Sequence, residues 1–269
     1  MTVEEINKLS YTDFVGLVNQ WNVPPGAYST INQWAIFGKV EPNSNILELA
    51  CTTGFSIREL SLLTKCKGIG IDISEASVNQ AIQNKNLYAV DSDIQYQTID
   101  AHLYKPEGSF THLVIGAALR FFPNPQQILE RYINFLESTG YILSAEFYTN
   151  ELIPDNLINE AKTVFDIYPT NISYKKVMAV YKNLELIYEN KCLLEQETVE
   201  ELNYYCKCTI DRLTSVKPEF TNPDLYKATY ERLYKIKDMS NKLRPYQRYS
   251  VLVHRYRSNL YPARYVELF

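Results

Sequence analysis

Asn45-Ile46-Leu47-Glu48-Leu49-Ala50-Cys51-Thr52-Thr53-Gly54-Phe55-Ser56 is the stretch whose reading decides the fold. An apolar run ends in a carboxylate, passes through small residues and leads into Ser56-Ile57-Arg58-Glu59-Leu60-Ser61-Leu62-Leu63, whose apolar residues recur at helical spacing. Strand, tight turn and helix in succession open a βαβ unit. Such units bind ligands where the strand gives way to the turn, so a cofactor site is expected here.

Working outward, Cys66 to Ser74 reads as a second buried strand ending in the acid Asp72, and Ser74 caps a helix through Ala76, Val78, Ala81 and Ile82. A third strand, Ile94 to Ile99, ends at Asp100-Ala101-His102. The fourth, His112 to Gly116, is followed by the loop Ala117 to Pro123 and a helix from Gln126 to Leu136; the fifth runs from Gly140 to Phe147. Short apolar strands alternating with helical patterns are the signature of a doubly wound α/β sheet, with its ligand beyond the carboxyl ends of the strands.

Each of the first three strands thus ends in an acid, Glu48, Asp72 or Asp100, and the topology brings all three to one crevice. Converging acids favour a ligand with hydroxyls and a cation over a polyphosphate. Asp72 also stands at about the distance from the first strand at which a dinucleotide fold places its ribose-binding acid. The turn Ala50-Cys51-Thr52-Thr53-Gly54 carries a single glycine, however, and a pyrophosphate needs glycine where the backbone approaches it, so NAD and FAD are disfavoured.

At these residues the sequence resembles the class I S-adenosylmethionine-dependent methyltransferases over roughly 44–148, and weakly at Gln247 to Tyr256, which is similar to the family's last strand. The resemblance implies a Rossmann-like, doubly wound, seven-stranded mixed sheet with a helical cap, and S-adenosyl-L-methionine as cofactor. It implies that Ala50, Cys51, Thr52 and Gly54 approach the methionine part of that cofactor, with Glu48 supporting its ammonium. Asp72 would accept from the ribose hydroxyls and Ile73 would lie against adenine. Asp100 would accept from the exocyclic amine, Ala101 and His102 would flank the ring, and Gly116 and Ala117 would complete the site from the loop after strand four. Ala50 and Thr52 depart from the family pattern, which has glycines there.

The flanks supply the rest of the pocket. Residues 1–44 are expected to form a helical lid, with one helix between Tyr11 and Trp21 and another from Ser29 to Phe37 capped by Ser29 or Thr30. The segment Trp21 to Tyr28 either plugs the core edge or covers the site. Residues 45–148 form the cofactor-binding core. Residues 149–246 hold cap insertions, with helical patterns at 155–166, 174–183, 197–215 and 223–243 and a sixth strand within Leu184 to Cys192. A last strand, Gln247 to His254, and a tail to Phe269 complete 247–269. With neither repeat nor low-complexity linker, 1–269 is read as a single unit.

Net charge of −4 gives no overall field for nucleic acid or an anionic membrane, although Arg244-Pro245-Tyr246-Gln247-Arg248-Tyr249 interleaves base and aromatic. No apolar run approaches the roughly 18 residues of a membrane span, and the first residues lack a signal-peptide pattern, so a cytoplasmic protein is expected. The five cysteines lack zinc-knuckle spacing and read as reduced structural thiols; no metal is expected. The 22 tyrosines suit half-buried aromatic walls.

Displacement at a sulfonium needs alignment and exclusion of water more than a catalytic group. Where the acceptor carries a proton, Glu146 and Tyr148 at the end of strand five are the catalytic candidates. Trp21, Tyr28, Trp34, Arg120, Phe121 and Arg248 are candidates for binding the substrate, Arg120 by pairing a carboxylate. The expected activity is methylation of a small organic acceptor, in secondary metabolism for instance, by a monomer or homodimer. The alternatives are a peptide or RNA methyltransferase, or a protein using the cofactor for another purpose.

Overall fold

The computed structural model describes residues 1–21 and 24–262; Asn22 and Val23 of the Trp21–Tyr28 segment and the end of the tail, 263–269, lie outside the described residues. Strands β1 (Asn45–Leu49), β2 (Lys67–Asp72), β3 (Ile94–Thr98), β4 (Phe110–Gly116), β5 (Leu136–Thr149), β6 (Glu185–Leu193) and β7 (Gln247–Arg257) form a seven-stranded sheet in the order β3-β2-β1-β4-β5-β7-β6. The first five are parallel, and β7 runs antiparallel between β5 and β6. This is the mixed doubly wound sheet expected. The winding reverses beside β1, whose neighbours are β2 and β4, and that reversal opens a crevice beyond the carboxyl ends of β1 and β4.

Alternation along the central strands feeds two cores. Leu47, Leu113 and Ile142 face helix α6 (Pro125–Ile133) through Ile128, Leu129 and Tyr132. Ile46, Val114 and Leu143 face α3 (Ala27–Phe37) and α4 (Phe55–Thr64) through Trp34, Phe55, Ile57 and Leu60. Helix α5 (Glu75–Tyr88) follows β2 and is capped by Ser74, whose hydroxyl accepts from Ser77 N–H at 3.2 Å. A third cluster is all helical. In it α1 (Val3–Lys8) and α2 (Tyr11–Leu17) pack Ile6, Phe14 and Leu17 against Cys206, Ile210 and Leu233 of α9 (Val199–Val216) and α10 (Pro223–Leu243). Arg232 ties the two ends of the chain together by donating to the carbonyls of Ile6 and Leu9. Helix α7 (Asp155–Phe165) leans on the end of α10 through Ala161, Met239 and Leu243. Helix α8 is the short Tyr174–Met178.

Several boundaries differ from the expectation, each for a local reason. The helix expected between Tyr11 and Trp21 is α2 and stops at Leu17, because Asn19 turns left-handed (φ 47°), a conformation asparagine tolerates. The next helix starts at Ala27 behind Gly26 (φ 83°), so the Pro24-Pro25-Gly26 turn opens it and neither Ser29 nor Thr30 is its cap; Thr30 donates back to the Pro25 carbonyl instead. The helix after strand four ends at Ile133, and β5 is already paired at Leu136. The pattern at 174–183 splits into α8 and a 3₁₀ turn, Ala179–Tyr181. No helix among the described residues is long and apolar enough to cross a membrane.

Candidate active site

The turn after β1 takes the left-handed conformation at three positions with a single glycine. Ala50 (φ 52°), Thr52 (φ 45°) and Gly54 (φ 75°) are all left-handed, at alternate positions. For a residue with a Cβ this costs about 1–2 kcal/mol, and a β-branched side chain fares worst. Such strain persists where surrounding bonds over-determine the backbone. Here Cys51 N–H donates to the Ile71 carbonyl (3.0 Å), Thr52 N–H to Asp72 Oδ2 (3.0 Å) and Thr53 Oγ1 to the Gln20 carbonyl (3.1 Å). Asn84 donates to the Thr53 carbonyl (3.0 Å) and the Tyr96 hydroxyl to the Gly54 carbonyl (2.8 Å). Relief of the strain is measurable. Thr52→Gly is expected to raise stability by about 1 kcal/mol in denaturant unfolding, the strain relieved outweighing the added chain entropy. A stability equal to or below that of the parent would show that the turn is unstrained.

The strand-end acids are held by backbone N–H groups. Glu48 is buried at the mouth of α4, where Oε2 accepts from Ile57 N–H at 3.2 Å. Burial pushes its carboxyl up to about 7, with help from the Asp72 charge, against the opposing pull of the Ser56 and Ile57 hydrogen bonds and the Arg58 charge. Asp72 Oδ2 and Oδ1 accept from Thr52 and Ser74 N–H at 3.0 and 2.9 Å. Burial raises Asp72 despite those bonds. Its neighbour Ile73 is 69% exposed, an apolar face open to solvent at the lip of the crevice. Asp100 accepts from His102 N–H (2.8 Å) and lies 3.0 Å from its ring Nδ1, contacts that hold the carboxyl below the usual range. Ala101 is buried beneath, its carbonyl accepting from the Tyr132 hydroxyl at 2.7 Å.

A cavity of about 480 Å³ sits over the turn. Glu48, Ala50, Cys51, Thr52, Gly116, Ala117 and Phe121 line it, so seven of the residues expected at the site meet there. Gly54 stands just behind, under the Tyr96 ring, and Asp72, Ile73, Asp100, Ala101 and His102 continue the crevice along the tips of β2 and β3, outside the cavity lining. The opposite walls come from the flanks expected as lid and cap, but through residues not singled out as site candidates. Tyr11, Gln20 and Pro24 to Ala27 come from the amino-terminal segment, and Phe165, Ile167, Pro169, Thr170 and Leu194 from the segments around α7 and after β6. Lys237, Ser240, Leu243, Arg244 and Gln247 come from the end of α10 and the start of β7. The sequence signals for these were the segment Trp21 to Tyr28, read as plugging the core edge or covering the site, and the basic and aromatic run starting at Arg244.

Other expected residues lie elsewhere. Glu146 and Tyr148 do not line the cavity. Between them Phe147 does, because neighbouring strand residues face opposite ways. Glu146 is fully buried, accepting from the Tyr181 hydroxyl, with the Arg120 guanidinium 4.0 Å away, and burial raises its carboxyl. Arg120 is therefore turned inward; it also donates to the Val177 carbonyl (2.7 Å), which ties the loop after β4 to α8. Tyr148 packs edge-on to Tyr174. Trp34 is a core residue whose Nε1 donates to the Ser144 carbonyl at 3.2 Å. Trp21 lies under the Arg58 guanidinium (4.8 Å), Tyr28 against Phe55, and Arg248 donates to its own segment at Pro245 and Gln247.

A mixed sheet with this strand order, a clamped turn after its central strand and acids at three successive strand tips defines an enzyme of the class I S-adenosylmethionine-dependent methyltransferase superfamily. The model of the methyltransferase domain family matches residues 40–214, and the chain belongs to that family. Among solved structures it is similar to the MccD protein, at 27% identity and TM-score 0.70, covering 87% of this chain and 99% of that one. An S-adenosylmethionine-dependent methyltransferase from Geobacter sulfurreducens in complex with S-adenosyl-L-homocysteine shares the fold at 15% identity and TM-score 0.66, covering 90% and 96% of the two chains. YjhP from E. coli does so at 15% identity and TM-score 0.66, covering 90% and 98%. No curated protein matches the sequence.

Proposed function

We propose that the chain transfers the methyl group of S-adenosyl-L-methionine to a small organic acceptor held in the cavity above the turn. The supporting observation is that cavity: its floor is the strained turn with Glu48, and apolar side chains such as Phe121, Phe147, Phe165 and Leu194 wall it. A walled pocket of this size suits a small acceptor better than an extended peptide or RNA surface. In this reading residues 1–44 are the lid and 149–246 the cap of a single unit, working as monomer or homodimer.

Bound cofactor supplies an electrophilic methyl on a cationic sulfur. The chain's residues align and shield. The turn Ala50 to Gly54, with Gly116 and Ala117 opposite, lets backbone come close to the methionine part. Asp72 keeps lone pairs free beyond its two backbone bonds for the ribose hydroxyls. Ile73 covers one adenine face, Asp100 accepts from the exocyclic amine, and Ala101 and His102 flank the ring. Cap and lid side chains exclude water and hold the acceptor in line. Glu146 and Tyr148, turned from the cavity, receive no catalytic role.

Glu48 makes the binding pH-dependent. A ligand ammonium favours the charged carboxylate, so binding near pH 7 is expected to release about half a proton and to weaken as pH falls through 7. The sign is opposite for the unliganded fold: a carboxyl raised from 4.5 to about 7 stabilises below its ordinary value, and that contribution is lost as pH rises through 7. Calorimetry of S-adenosylmethionine in buffers of different ionisation heat measures the proton directly. No released proton, or a release that persists in Glu48→Gln, would remove Glu48 from the ammonium site.

The activity is tested with cofactor carrying a labelled methyl group, offered separately to the small-molecule filtrate and to the protein and RNA fractions of a cell extract. Label in the filtrate is the expected result. Label confined to protein or RNA, or consumption of cofactor without methyl transfer, would replace this reading with one of the alternatives.

A further inference from the structure

One wall of the cavity differs electrically from the rest. Lys237, Ser240 and Arg244 follow one stripe at the end of α10, three and four residues apart, and all three line the cavity. The two cations lean on the same oxygen: Lys237 Nζ lies 3.7 Å and Arg244 Nη2 3.0 Å from Glu197 Oε2. Arg244 Nη1 is committed to the Glu195 carbonyl at 2.6 Å. One carboxylate thus serves two cations and leaves the wall net positive. Among the described residues lining the cavity, the only other formally charged side chain is Glu48, across at the turn.

Lys237 is poorly compensated where it stands. Its side chain is 16% exposed, and the ring of Tyr205 lies 4.3 Å from its ammonium. Burial, then the Arg244 charge, pull the ammonium below the usual lysine range, and Glu197 offsets this only in part. A half-desolvated cation sharing its counter-ion is stabilised by a second anion. The cavity between this wall and the turn is mainly apolar, through Phe121, Phe147, Phe165 and Leu194.

We infer that Lys237, Ser240 and Arg244 form a subsite for an anionic group, carboxylate or phosphate, on an acceptor with an apolar body. The inference rests on the reading of the cavity as the acceptor site, and the two are separable by experiment. The protein is titrated with phenyl phosphate, phenylacetate and neutral benzyl alcohol, with and without saturating S-adenosylhomocysteine, whose own binding is measured first.

At least one anion is expected to bind about tenfold or more tightly than benzyl alcohol, and the tighter of the two identifies the group. Lys237→Met and Arg244→Gln should each weaken the anion about tenfold while S-adenosylhomocysteine affinity stays within about twofold. Glu197→Gln should shift affinity the other way, because it frees both cations. That opposite sign decides the matter even where one cation variant folds poorly. Anions that bind no better than benzyl alcohol, or equally well in all three variants, overturn the subsite and leave the cofactor reading standing. Loss of S-adenosylhomocysteine binding in the parent protein with anion binding intact overturns the cofactor reading and leaves the subsite.

Discussion

Asp72→Ala is expected to weaken S-adenosylmethionine binding by about a hundredfold or more in calorimetry. The carboxylate does two jobs. Its oxygens accept from the N–H groups of Thr52 and Ser74, fixing the strained turn against the start of α5. Their remaining lone pairs are the acceptors proposed for two ribose hydroxyls. Each charge-assisted hydrogen bond contributes about 1.5–3 kcal/mol, so losing the pair at the ligand gives at least the factor stated. Asp72→Asn separates the two jobs. It keeps one side-chain acceptor for Thr52 N–H but not two for the ribose, so thermal stability should fall less than in Asp72→Ala while affinity falls nearly as far. Unchanged cofactor affinity in Asp72→Ala would sink the ribose assignment.

The largest stability effect is expected at the other end of the turn. At Gly54 (φ 75°) an added Cβ would stand 2.5 Å from a ring carbon of Tyr96 and 2.6 Å from its hydroxyl, which itself donates to the Gly54 carbonyl. The left-handed backbone costs a Cβ about 1–2 kcal/mol and the overpacking about 1–3 more. Gly54→Ala should therefore lose about 3 kcal/mol, or roughly 10 °C in Tm. In a double-mutant cycle, Gly54→Ala should cost less in the Tyr96→Ala background than in the parent, because only the clash depends on the ring. A Gly54→Ala protein as stable as the parent would mean that the turn relaxes without cost, and with it the strain argued for Ala50 and Thr52.

What the sequence made legible was whatever repeats along the chain. The apolar runs at the first, fourth and fifth strands and the helical spacing between strands give a doubly wound sheet, because a strand buried on both faces is apolar throughout, whereas the edge strand β3 (Ile94–Thr98) alternates polar and apolar residues. The glycine-poor turn looked like a departure, yet Ala50 and Thr52 adopt the conformation that glycine would. Backbone clamps from Gln20, Asn84 and Tyr96 supply what the residues lack, and no local pattern displays partners so far along the chain.

Which cap residues reach the cavity was hidden for a similar reason. Helical periodicity at 223–243 shows that one face is apolar but not that its last turn closes over β1. In β5 the period of two separates Phe147 from Glu146 and Tyr148 without saying which face meets the ligand. Aromatic residues were weak guides, since a ring fills a core, as Trp34 does, as readily as it walls a pocket.

The placement of β7 has a consequence for how the molecule is made. Among the described residues strand β6 pairs with β7 alone, and the 53 residues between Leu193 and Gln247 emerge from the ribosome first, α9 and α10 among them. Until β7 arrives, β6 has no neighbour and β5 offers a bare edge of backbone donors and acceptors. Strand β7 therefore completes the sheet from within, joining the edge strand to the parallel half in one insertion. The nascent chain carries an open strand edge until β7 emerges, which gives co-translational aggregation a defined window.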